Sequence, residues 1–147
     1  MKLNYKQSKD YNEIIFINFI QDVLREYPTY DSKIEKRKND ILENLKVKSK
    51  DYLKDQENIN KCIENDRKLN VYKSRKALLD DILPRLEKYN DKAYLFVKKR
   101  YFERKNLKNI MQQLNLSTPT EMFDLDFVAI RYIGNKMRNS KDFLRKV

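Results

Sequence analysis

The sequence predicts an all-α protein, a helical bundle, and three observations predict it. Apolar residues recur at three- and four-residue spacing over most of the chain, as one buried helix face requires. Gly134 is the sole glycine, which starves tight hairpins, whose turns want Asn-Gly or Gly-X. Capping residues and prolines punctuate the ends of several periodic segments. With 147 residues the chain has room for one core, or one small domain with helical attachments, but not two full cores.

The first helix is expected over residues 8–26. Ile15, Phe16, Phe19, Ile20, Val23 and Leu24 form its stripe, Ile14 and Ile17 widen it, and Tyr27-Pro28 ends it because the residue before a proline is pushed out of the α region. A helix this apolar must be buried, in the core or against another copy. A second helix is expected to start at Asp31 or Ser32, both good N-caps, and to carry Ile34, Ile41, Leu42 and Leu45 inward. Its other face holds Lys36, Arg37, Lys38, Lys46, Lys48 and Lys50, most simply a solvated surface. Periodicity thins past Leu45 to Tyr52, Leu53 and Ile59, as in a weak helix or connector.

One long helix is expected over residues 57–83, with Ile63, Leu69, Tyr72, Leu79, Ile82, Leu83 and Leu86 near one stripe that Asp66 and Lys76 interrupt. The stripe is too sparse for a coiled coil. Pro84 kinks this helix or opens a new one. Residues 1–89 then form an N-terminal helical region that could serve oligomerisation or partner contact, and residues 90–147 a separate functional region.

Asn90 or Asp91 can cap a helix over residues 92–103, with Leu95, Phe96, Tyr101 and Phe102 apolar. A short helix over residues 106–114 follows, with Leu107, Ile110, Met111 and Leu114 on its apolar side. Asn115-Leu116-Ser117 is a polar turn with one inward leucine. Thr118-Pro119-Thr120-Glu121 then opens a last helix: Thr118 caps, Pro119 suits the first helical position, and Glu121 completes a capping box. That helix is expected to run to Ile133 and to end at Gly134 in a left-handed cap. Two short helices joined by such a turn make a helix-turn-helix, whose second helix fits the DNA major groove. A plain helical corner has the same spacing.

Charge and absences narrow the function. Lys and Arg number 33 against 22 Asp and Glu, a formal +11, which favours a polyanionic partner, nucleic acid first. There is no His, Cys62 stands alone, and no Gly-rich loop exists, so no catalytic residue, metal site or cofactor is expected and the chain is read as a non-enzyme. No apolar run approaches the roughly 20 residues of a membrane span, and Met1 to Lys6 is not followed by an apolar segment, so a cytoplasmic location is expected.

The stretch from Phe96 to Leu107 (FVKKRYFERKNL), with Ile110, Leu114, Leu116 and Ser117, resembles the helix-turn-helix of the RinA-type late transcriptional activators of staphylococcal phages. ArpU- and LtrC-type regulators and the sigma-factor region that reads the −35 element (sigma region 4) share that outline. Residues 22–30 (DVLREYPTY) and, more weakly, 66–83 match in the same order. The resemblance implies a sigma-region-4-like helix-turn-helix in an activator of phage late genes that binds double-stranded promoter DNA and works with host RNA polymerase. The expected DNA-binding residues are Arg104, Lys105, Lys108, Asn109, Ser117, Thr118, Thr120, Glu121 and Arg131. Lys105 and Lys108 sit at the first turn of the motif, where free amides favour phosphate.

The last helix departs from the usual pattern. Readers of the groove display Arg, Lys, Asn or Gln, whereas this helix offers Glu121, Asp124 and Asp126, with Phe123 and Phe127 nearby. Met122, Leu125 and Ala129 also fall one residue later than the sigma-like pattern places them. Two alternatives therefore stay open: a protein-interaction module, either docking on RNA polymerase or serving as a partner's target, and a small helical DNA-packaging or structural factor; a homo-oligomer or a protein modulator stays open as a partner.

Overall fold

The computed structural model describes residues 11–48 and 56–138, and every regular element in them is helical. The order is α1 (Tyr11–Glu26), a 3-10 turn (Tyr27–Thr29), α2 (Tyr30–Lys48), α3 (Gln56–Glu64), α4 (Arg67–Tyr89), α5 (Asp91–Val97), a π turn (Lys98–Phe102), α6 (Leu107–Gln113) and α7 (Pro119–Met137). Lys50, Tyr52 and Leu53, and the residues before Tyr11, lie outside the described residues.

The main core is built where α1, α4, α5, the π turn and α7 meet. Ile20, Val23, Leu24, Leu79, Ile82, Leu86, Ala93, Val97, Tyr101, Ala129, Ile133 and Met137 close it almost completely. It runs across the expected 89/90 boundary, since α4 and α1 supply one side and α5 and α7 the other. In α1 the buried face is turned slightly from the expected stripe. Ile17 is buried and Ile15 is half exposed, while Phe16 and Phe19 are only partly covered. The rotation also brings Gln21 inside, where its Nε2 donates to the Tyr101 hydroxyl at 3.4 Å.

Four boundaries differ from expectation. The chain enters α2 at Tyr30, directly from the 3-10 turn that contains Pro28. Asp31 and Ser32 therefore lie inside the first turn and are exposed. With Tyr30 already helical (φ −63°, ψ −39°), no extended cap residue is needed.

The expected 57–83 helix is broken into α3 and α4 at Asp66. This residue is extended (φ −72°, ψ 117°), its carboxylate accepts from the Leu69 N–H at 2.9 Å, and the same carboxylate takes a two-pronged contact from Arg37 of α2 at 2.9 and 2.7 Å. The side chain that interrupts the apolar stripe is thus an N-cap. Beyond it, α4 passes through Pro84 to Tyr89; Pro84 is exposed, so the carbonyl it leaves without a main-chain donor is on the side that solvent can satisfy.

Gly134 is not a cap. It lies inside α7, which continues to Met137, and no glycine has positive φ. Its role is close approach: a Cβ there would stand 2.9 Å from Ile20 Cδ1 and 3.1 Å from Phe16 Cε1 of α1. The sole glycine marks where two helices touch, not where one stops.

A second cluster joins α2, α3 and the start of α4 through Ile34, Ile41, Leu45, Ile59 and Leu69. A third lies under the α5–α6–α7 corner and comprises Phe96, Ile110, Leu114, Leu116 and Met122.

Candidate nucleic-acid interface

The α5–α7 corner is fixed by a sequence of local devices. Asn90 caps α5, its Oδ1 accepting from the Ala93 N–H at 3.0 Å. The helix then widens into the π turn, closed by Glu103 N–H to Lys98 C=O at 2.9 Å, and Lys105 N–H returns to Lys99 C=O at 2.9 Å. Arg104 reverses the chain in the left-handed region at φ 55°, a conformation that is uncommon outside glycine. Asn106 caps α6 by accepting from the Asn109 N–H at 2.8 Å.

The far end of α6 carries a complete Schellman arrangement. Asn115 takes φ 55°, Leu116 N–H reaches Met111 C=O at 2.9 Å, and Asn115 N–H reaches Gln112 C=O at 3.3 Å. Leu116 is thereby turned inward, as its place in the polar turn suggested. Thr118 is the N-cap of α7, its Oγ1 accepting from the Glu121 N–H at 3.4 Å, with Pro119 behind it. Glu121 returns a hydrogen bond one residue earlier than a capping box would, accepting from the Ser117 N–H at 3.0 Å.

The expected interface residues fall into three places. Arg104, Lys105, Lys108 and Asn109 occupy the α5–α6 loop and first turn of α6; Lys105 is half-buried and the others exposed. Ser117, Thr118, Thr120 and Glu121 lie together, exposed, at the α6–α7 turn. Arg131 stands apart, eleven residues along α7 from Thr120 and so about 16 Å down the axis. It shares an exposed face with Thr120, Asp124 and Phe127, and its guanidinium lies 6.0 Å from the Phe127 ring centroid.

Asp126 does not belong to that face. Its side chain is wholly buried and accepts from the Tyr101 hydroxyl at 2.7 Å. Burial, reinforced by the carboxylate charge, pushes the Tyr101 phenol well above its ordinary range, so it stays a neutral donor. Of the three acids expected at the surface of α7, only Glu121 and Asp124 are there, and Glu121 is engaged at the turn. The outward face is less acidic than the sequence suggested, because helical phase carries residue 126 inward beside Met122 and Ala129.

Arg25 was not among the residues expected at the interface, and the fold brings it beside them. Arg25, at the end of α1, and Arg100, in the π turn, line an open cleft of about 560 Å³ with Arg104, Lys105, Asn106 and Leu107. Both guanidiniums lie 5.5 Å from the centroid of the Tyr101 ring. Arg25 pairs with Asp22 at 3.0 Å and Lys105 loosely with Glu103 at 3.8 Å. Nothing local in the sequence links α1 to this loop; the Asp22–Tyr30 stretch stood out only as part of the resemblance.

Among the described residues no group of three or more His, Cys, Asp or Glu is placed to hold a metal ion, and no helix is long and apolar enough to cross a membrane. No family model, curated protein or solved structure matches the chain. The likeness to the RinA-type activators accordingly rests on the residues quoted for it.

Proposed function

We propose that this chain is a DNA-binding transcriptional regulator, an activator of phage late genes working with host RNA polymerase, in which α6 and α7 act as a helix-turn-helix. The observation that carries the DNA reading is the corner itself: two separately capped helices, joined by a tight Schellman turn over one apolar cluster, with cations gathered at the loop before the first. The phage, late-gene and polymerase parts come from the resemblance.

In this reading Arg104, Lys105 and Lys108 contact phosphates, which position a protein without reading sequence. Ser117, Thr118, Thr120 and Glu121, at the leading end of α7, are nearest the base edges. Arg131 takes a phosphate farther along the groove. Inward placement of Asp126 supports the reading by removing one negative charge from the DNA-facing side.

The test is salt-dependent binding of the full chain to late-promoter duplex against scrambled duplex. Tighter binding to the promoter, weakening steeply with salt, is expected. Equal binding to both would point instead to a packaging factor. Failure to bind either would leave the protein-interaction reading, for which one observation speaks: Phe127 is 47% exposed beside Asp124 on the outward face of α7. An exposed aromatic flanked by charge is the usual anchor of a protein contact.

A further inference from the structure

We infer that the cleft between the end of α1 and the α5–α6 loop is a phosphate-binding site, and that Arg25 and Arg104 grip a backbone phosphate of the bound nucleic acid there. The inference deepens the DNA-binding reading and rests on it. It adds a residue from α1 to an interface otherwise drawn from α5–α7.

Charge argues for it first. Four cations line the cleft, Arg25, Arg100, Arg104 and Lys105, and no carboxylate is among its lining residues. Converging like charges are unfavourable unless an anion sits between them, and a concave site concentrates their field. Three of the four are guanidiniums, whose planar fork matches phosphate oxygens in pairs.

The existing partners of Arg25 and Lys105 are easily exchanged. The Arg25–Asp22 pair is three residues apart on an open surface, with the Arg25 side chain 43% exposed, and such pairs contribute little. Arg104 is an exposed lining residue with no ion pair or hydrogen bond from its side chain among the described residues. Lys105 is shared between a carboxylate at 3.8 Å and the Gln113 side-chain oxygen at 3.3 Å.

Shape agrees. The volume of about 560 Å³ lies within the roughly 300–1,000 Å³ typical of small-molecule sites, enough for a phosphodiester with its adjoining sugar. Leu107 gives that sugar an apolar surface, and Asn106 leads directly into α6 and to Lys108 and Asn109. The rigid wall is Tyr101. Its ring lies beneath Arg25 and Arg100, and its hydroxyl is locked between Gln21 and Asp126.

The same chemistry would accept a free polyphosphate, so the experiment has two arms. In the first, duplex DNA is titrated with the full chain, wild type and Arg25→Gln, Arg104→Gln and the double variant, over a range of KCl. Lys73→Gln, on an exposed turn of α4, is the control. The double variant should bind all duplexes more weakly, with a salt slope reduced by about 1, and the control should match wild type. Arg104→Gln alone should show a share of the loss at an unchanged melting temperature, which separates the effect from unfolding. Duplex binding with an unaltered slope in the double variant overturns the inference while leaving the DNA reading intact.

If wild type binds no duplex, the DNA reading fails, and the second arm decides. Inorganic tripolyphosphate is followed by amide shifts of the full chain. Shifts at Arg104 and Leu107 that disappear in Arg104→Gln establish a phosphate site fed by a free ligand; no shifts there overturn it.

Discussion

The core shared by α1, α4, α5 and α7 and the lobe made by α2, α3 and the start of α4 are built from the same residue types but closed differently. In the core, Ile20, Leu24, Leu79, Leu86 and Ile133 are sealed at 0–1% exposure, and the closest approach is set by a missing side chain at Gly134. In the lobe, Leu69 alone is sealed while Ile34, Ile41, Leu45 and Ile59 retain 6–9%, and a charged clasp, Arg37 to Asp66, draws α2 onto the α3–α4 junction. Shape specifies the first region and charge the second. A short helix such as α3, with Ile59 its only buried residue, cannot be held by apolar area alone.

The largest effect should come from the apolar side that adjoins the core. Phe96, wholly buried under the corner, is truncated in Phe96→Ala at an expected cost of about 3–5 kcal/mol. Chemical denaturation reads this directly. A loss under about 1 kcal/mol would show that the corner can collapse around the gap.

Gly134→Leu should cost about 1–3 kcal/mol by overpacking α1 against α7. Gly134→Ala is the sharper probe. It gains about 1 kcal/mol of helix propensity while pressing on Ile20 Cδ1, the movable end of a side chain, so its net effect should be near zero. Ala as harmful as Leu would mean that the α1 backbone, not that side-chain tip, sets the approach.

In the lobe, Asp66→Ala removes both a cap and the clasp, an expected loss of about 1–2 kcal/mol. It should show as faster amide exchange in α3 with the core amides unchanged. The hydrogen bond from Arg37 holds the Asp66 carboxyl below its usual range, against the opposing pull of burial. A carboxylate depressed on folding stabilises at pH above its unfolded value of about 3.9, and that stability is lost as pH falls through the folded value. Acid below about pH 4 should therefore loosen the lobe before the core, and Asp66→Asn should flatten that dependence. Of the substitutions expected to destabilise, Thr118→Ala has the smallest effect, about 1 kcal/mol for an exposed cap, read as a shift in melting temperature.

What was legible in the sequence follows the same divide between local and distant causes. The caps at Asn90 and Thr118 and the inward Leu116 were readable because a cap acts on an amide two or three residues away, whereas Asn106, which also caps, was read as the first helical residue. The break at Asp66 was visible only as a flaw in a stripe, since its second function depends on Arg37, which is 29 residues distant. Gly134 was misplaced because a glycine that admits another helix looks, in sequence, like one that ends its own. Asp126 was misplaced because an acid at a core phase needs a partner, and Tyr101 is 25 residues away. Arg25 escaped notice for the same reason: the cleft it shares with Arg100 exists only after α1 docks on the π turn.

The meeting of α1 with α7 also sets an order of events during synthesis. Glu13 pairs with Arg138 at 2.9 Å across 125 residues, and Gly134 fits against Ile20 from nearly as far. The lobe draws only on residues 34 to 72, so it can assemble while translation continues. The core cannot, because α7 is the last of the described helices to leave the ribosome. Until then α1 lacks the partner that closes over Ile20 and Phe16, leaving apolar surface of the kind that chaperones hold and that aggregates nascent chains. Closure over so long a loop is slow compared with that of a bundle whose neighbours in space are neighbours in sequence.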